Sequence, residues 1–215
     1  MISKTLSNLH KQYNSGKLKE GRLMHTGRPS FIENQQEWTD VKYGWHPKSN
    51  MGYSGCGVFA VWNVLYAMKR LGNEAPVEKM VQLIEHFERW GTLAGGLFGT
   101  RMVAVCFYLM RHCKTVKSML PVGRKRLDRF GRQNDAFIVF MLNDWRHPFC
   151  GAHIVAITKD GKGFVPHNVY RRDAQGKYLS GVPADSLFLS ISHCTKRPLA
   201  LWIVGVRQWS LKKSR

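Results

Sequence analysis

The chain has 215 residues, 44% of them hydrophobic, which is enough for one substantial core or a core with an appendage. No run of eighteen apolar residues occurs, so a membrane span is not expected, and "MISKTLSNLHKQYNSGKLKEG" lacks the apolar block of a secretory signal. Thirty-three Lys and Arg against fourteen Asp and Glu give a formal charge of +19, a field that favours polyanionic partners: nucleic acid, an acidic surface or an acidic protein. The location expected from these features is the cytoplasm, or export by a route that needs no such signal.

Residues 1–48 are polar and broken by Gly16, Gly21, Gly27, Pro29 and Pro47, with one short helix expected near 3–14. They read as a basic N-terminal extension, wrapped on the domain or partly disordered, ahead of a domain over 49–215. From Asn50 the texture changes. Val58, Val61, Leu65 and Met68 recur at helical spacing, with Gly72 as a stop. A second helix follows Pro76, with Val77, Met80, Val81, Ile84 and Phe87 on one face and charges opposite. "GTLAGGLFGT" is a glycine-rich connection, and "RMVAVCFYLMRHC" reads as a third helix.

The period then shifts. "TVKSML" is a short strand candidate, and 123–132 is a basic helix or loop. "DAFIVFML" is wholly apolar, as suits the middle of a sheet. "AHIVAIT" and "GFVPHNVY" flank "KDGKG", a turn that predicts an antiparallel hairpin. "SLFLSIS" and "LALWIVGV" read as late strands. Helices first and an antiparallel sheet second point to an α+β fold, a helical half packed on a sheet half.

Five cysteines (Cys56, Cys106, Cys113, Cys150 and Cys194) are an odd number without CxxC spacing, which argues for reduced thiols. Cys106 and Cys194 lie where a small buried hydrophobe is ordinary. Cys56 differs: in "NMGYSGCGVFAVWNVL" it opens a helix between Gly55 and Gly57. Unpaired N–H groups at a helix start favour a thiolate, and the Cys56 N–H can face a developing oxyanion. A nucleophilic thiol needs a base. His153 begins the strand "HIVAI", and hairpin pairing brings "PHN" level with it, so Asn168 falls within side-chain reach. Cys56, His153 and Asn168 thus form a Cys-His-Asn set. His167 is expected on the opposite strand face.

These two segments, "NMGYSGCGVFAVWNVL" and "GAHIVAITKDGKGFVPHN", resemble the papain-like cysteine peptidases. The nearest branch is the one that removes double-glycine leader peptides from bacteriocins, with its free-standing bacterial relatives. The resemblance spans about residues 43–206 and implies a papain-like fold and thiol-dependent cleavage of peptide bonds, with no cofactor. In that branch a Gln six residues before the cysteine helps form the oxyanion hole; here Asn50 holds that position. The branch commonly has Asp as third member, where this chain has Asn168, as papain itself has Asn. Gly95 and Gly96, in the glycine-rich loop, are candidate substrate-binding positions.

The partners expected are a peptide or protein substrate, acidic if the surface charge selects it, and an inhibitor or immunity protein. Nonspecific nucleic-acid contact is a further expectation, because "GRKRLDRFGR" concentrates Arg124, Lys125, Arg126, Arg129 and Arg132. Three alternatives stand beside the peptidase. The same triad supports a deamidase or an acyl-transfer toxin, a retired site would leave a basic binding module, and His147, Cys150 and His153 could hold zinc with Cys56 or Cys113.

Overall fold

The computed structural model describes residues 2–21, 29–72, 75–113 and 115–207, so Gly27 of the extension lies outside the described residues. Seven α-helices and five strands occur among them. The helices are α1 (Lys4–Lys19), α2 (Met51–Ser54), α3 (Cys56–Ala67), α4 (Pro76–Trp90), α5 (Met102–His112), α6 (Arg124–Gln133) and α7 (Leu187–Ser192). The strands are β1 (Thr115–Met119), β2 (Ala136–Leu142), β3 (Ala152–Asp160), β4 (Gly163–His167) and β5 (Leu199–Arg207), forming one antiparallel sheet ordered β1-β5-β2-β3-β4.

The apolar run of β2 fills the middle of that sheet because both of its faces are covered. Ala136 and Ile138 join a core built with α3, α4 and α5, while Phe137, Val139 and Met141 join a second core under α6 and α7. α3 is buried along nearly its whole length, from Cys56 to Leu65, which explains why its sequence is apolar on every side. α4 instead shows the one-faced pattern expected of it, with Met80, Leu83, Ile84 and Phe87 inside.

Two expectations need correction. The segment "SLFLSIS" is a helix, not a strand: Ser186 caps it by accepting the Leu189 N–H at 3.2 Å, and Leu187 and Ile191, four apart, are the buried pair. A short alternating apolar run fits either period, and the cap settles it. The helical layer is also not confined to the first half, since α6 and α7 cover the far face of the sheet.

The extension contributes to the same core. Leu18, Ile32, Trp38, Val41 and Tyr43 pack with α3 and α4. α1 lies against α4, where His10 Nδ1 meets Glu88 Oε1 at 2.5 Å and the Gly44 N–H donates to the same oxygen at 2.8 Å. Ile32 is pinned to α3 from both sides: its N–H donates to Asn63 Oδ1 and its carbonyl accepts from Asn63 Nδ2. Among the described residues no helix is long and apolar enough to cross a membrane.

Candidate active site

Close packing accounts for the glycines that flank Cys56. A Cβ on Gly55 would lie 2.5 Å from the Met51 carbonyl oxygen, and one on Gly57 would lie 2.6 Å from Cβ of Thr100. These contacts seat the first turn of α3 against α2 and Thr100, and α3 packs along β3. The sulfur is covered: Cys56 is 8% exposed. Gly99, at φ +73°, lies beside it: a Cβ there would stand 4.0 Å from Sγ.

Three main-chain N–H groups face that sulfur, those of Ile154, Gly57 and Cys56 itself. Burial pushes the thiol above its ordinary range, and the N–H groups oppose the shift without reversing it. The thiolate anticipated at a helix start is therefore not the resting form. Loss of water around the sulfur outweighs the helix terminus.

His153 is 1% exposed and stacks on Tyr170, with ring centroids 4.1 Å apart. Its Nε2 lies 2.7 Å from the main-chain oxygen of Asn168. A carbonyl only accepts, so Nε2 carries the proton, and Nδ1 of the neutral ring is a bare lone pair. That Nδ1 is buried without a hydrogen-bond partner. Burial lowers the imidazole pKa to about 4, and the carbonyl bond opposes this only in part. Cys56 and His153 are two buried neutral groups, the sulfur against the N–H of Ile154 and the ring on the residue before it. The sulfur meets the N–H of Ile154, and no hydrogen bond joins it to the ring of the preceding residue.

Asn168 reaches His153 differently from the expected way. The hairpin register pairs Asp160 with Gly163 and Ala156 with His167, so the next residue is level with Val155, two short of His153. Strand β4 ends there and Asn168 turns to φ +59°, which aims its carbonyl at the imidazole. Its side chain bonds elsewhere. Oδ1 accepts the Gln35 N–H and Nδ2 donates to Gln35 Oε1, both at 2.9 Å. Gln35 Nε2 in turn donates to the Gly52 carbonyl at 3.0 Å and to Tyr170 Oη at 2.8 Å.

Asn50 caps α2, its Oδ1 accepting the Tyr53 N–H at 2.8 Å. Gly95 and Gly96 both have positive φ, and both are spent on the 44–49 segment. A Cβ on Gly95 would lie 2.4 Å from the Trp45 ring, one on Gly96 would lie 2.2 Å from Ser49 Oγ, and the Gly95 carbonyl accepts from the N–H groups of Trp45 and His46. Of this loop's glycines, Gly99 is the one beside the sulfur.

Sequence reasoning missed Gln35 and Tyr170. Gln35 lies in the extension and meets Asn168 across 133 residues, so no local pattern announces it. Tyr170 was visible only as two positions beyond Asn168. Among the described residues no three His, Cys, Asp or Glu converge to hold a metal, and all five cysteines are free. His147, Cys150 and His153 do not form a set: Cys150 is exposed on the surface while His153 is enclosed. The chain matches no family model, no curated protein and no solved structure, so these comparisons identify no family for it.

Proposed function

We propose that the protein is a cysteine-dependent hydrolase of peptide (amide) bonds, papain-like in arrangement, with Cys56 as nucleophile and His153 as base. The observation that carries this reading is the half-satisfied imidazole: one nitrogen of His153 is fixed by a carbonyl, and the other is a buried lone pair with no partner. A structural histidine gains nothing from such an orphan, whereas a base needs it.

In this scheme the resting pair is neutral. As Sγ attacks the amide carbon, the thiol proton passes to Nδ1, and the imidazolium so formed is held by the Asn168 carbonyl through Nε2–H. Negative charge developing at the centre falls among the N–H groups of Cys56, Gly57 and Ile154, which already face the sulfur. The imidazolium then returns its proton to the leaving amine, and water hydrolyses the thioester. Asn168 acts through its main chain in this scheme, with Gln35 holding the turn. Entry of a polypeptide requires the 97–100 loop to move off Cys56, because the sulfur is covered at rest.

Incubation with a synthetic peptide pool, read by mass spectrometry, tests the proposal. Cleavage products and a transient acyl adduct on Cys56 are expected, both lost in Cys56→Ala. Cleavage that survives in Cys56→Ala defeats the reading. Products with a changed side-chain amide, or with an amine in place of water, assign the same thioester to deamidation or acyl transfer. A basic binding module is the second reading, favoured by the enclosed sulfur and the missing thiol–imidazole bond. Binding indifferent to Cys56→Ala, with no peptide turned over, would select it.

A further inference from the structure

The cations of α6 take no part in the chemistry above, yet two of them border an open groove. Between the end of β1 and α6 runs a groove of about 420 Å³ whose floor is Met119, Leu120, Val122 and Phe130. Arg126 and Arg129 rise on one wall, with Gln133 continuing the same ridge at helical spacing. Both arginines are exposed, and among the described residues neither has a carboxylate partner. Leu120 and Val122, on either side of Pro121, are 68% and 58% exposed, unusual for two aliphatic side chains in one short loop.

At Met119, the last residue of β1, the groove meets the end of a strand edge. β1 pairs with β5 on one side only and is the outermost strand of the sheet. Among the described residues no other segment bonds to the main chain of Thr115–Met119 from outside. Such an edge offers N–H and C=O groups at the spacing of an extended chain. Met119 turns toward the α6 face, so alternate residues of an added strand would turn into the same groove.

We propose that this groove docks an acidic polypeptide segment in extended form. The segment adds to β1 through main-chain hydrogen bonds. Alternate apolar side chains rest on Met119, Leu120, Val122 and Phe130, and its carboxylates meet Arg126 and Arg129. An apolar floor beside an open strand edge fits a peptide better than a nucleic acid, which would want exposed aromatic rings for its bases, and Phe130 is buried. The inference is independent of Cys56 and stands whether or not the thiol reacts.

The test uses the full chain and a fluorescein-labelled, end-capped nine-residue peptide alternating Glu with Val and Leu, read by anisotropy. Binding is expected to weaken about tenfold or more in Arg126→Glu/Arg129→Glu and by a smaller factor in Arg126→Gln/Arg129→Gln. It should weaken similarly when alternate peptide nitrogens are methylated, and stay unchanged in Cys56→Ala. Circular dichroism checks that the exposed substitutions leave the fold intact. Equal binding by the double variants, or indifference to N-methylation, overturns the proposal. So does an oligothymidylate that binds more tightly than the peptide at the same arginines, which would reassign the groove to nucleic acid.

Discussion

His153 and His167 sit on neighbouring strands of one hairpin, both nearly inaccessible, and they use their ring nitrogens in opposite ways. His167 spends both: Nε2 bonds Thr158 Oγ1 at 2.8 Å and Nδ1 bonds Glu33 Oε1 at 2.7 Å, while Phe31 stacks on the ring at 4.0 Å. Glu33 also bonds the Ser180 hydroxyl, so the ring is one link in a closed polar chain. His153 spends one nitrogen on a carbonyl and leaves the other bare. Burial alone therefore does not distinguish a structural histidine from a chemical one. Under the proposed function the difference lies in the free Nδ1 of His153, a feature His193 shares without standing beside the Cys56 segment.

Substitution of the two rings should separate these roles most sharply. Cys56→Ala should lower kcat/KM by about 10⁶-fold and His153→Gln, which fills much of the same volume and keeps a donor for the Asn168 carbonyl, by about 10²–10⁴-fold, with thermal unfolding little changed. His167→Ala should do the reverse, costing about 1–3 kcal/mol of stability by leaving Thr158 and Glu33 unpaired, with turnover per folded molecule retained. Equal losses of activity in both histidine variants would erase the distinction.

Acid should act on both sites in the same direction. The imidazole of His153 has its pKa lowered to about 4 from an ordinary 6.5, so its contribution to stability is complete above 6.5 and is lost as pH falls toward 4. For a buried ring this amounts to on the order of 3 kcal/mol. Burial would raise the Glu33 carboxyl, but the His167 bond and charge and the Ser180 bond together hold it below its usual range. Its contribution is likewise present above that range and lost on acidification. Denaturant midpoints should fall steeply below pH 6.5. Turnover, which needs the bare Nδ1, should persist down to about pH 4 wherever the protein stays folded. An activity limb near pH 6.5 would contradict a buried neutral base.

Asn168 yields a smaller and more discriminating effect. Asn168→Ala loses two bonds to Gln35 and puts Ala, which tolerates the left-handed region less well than Asn, at φ +59°, for about 2 kcal/mol of stability. Because the contact to His153 is main chain, activity of the folded variant should drop by less than about tenfold. A far larger drop would restore the side-chain role that the Cys-His-Asn pattern suggests. The least effect belongs to Cys150→Ser: that thiol is exposed and outside the site, so turnover should change by less than about twofold.

What sequence alone conveyed follows from the range over which its signals act. Helix α4 and the hairpin were legible because a one-sided apolar period and an Asp-Gly turn are local. The buried helix α3 was legible from its start, where two glycines frame Cys56. The α7 segment was misread because six alternating residues satisfy two periods at once. Register was the costly miss: one hydrogen-bonding step moved the Asn168 side chain away from His153 and substituted its carbonyl. Gln35 and Glu33 were hidden because the segment carrying them looks like a polar leader, although Trp38, Val41 and Tyr43 beside them are buried in the core.

The most direct measurement is the alkylation rate of Cys56 by iodoacetamide, mapped by peptide in the intact protein and in His153→Ala. If Nδ1 serves the thiol, Cys56 should react at least about tenfold faster than the also buried Cys194, and the advantage should vanish without the imidazole. Cys56 reacting no faster than Cys194, or at the same rate with His153 removed, would mean that the two groups do not act together.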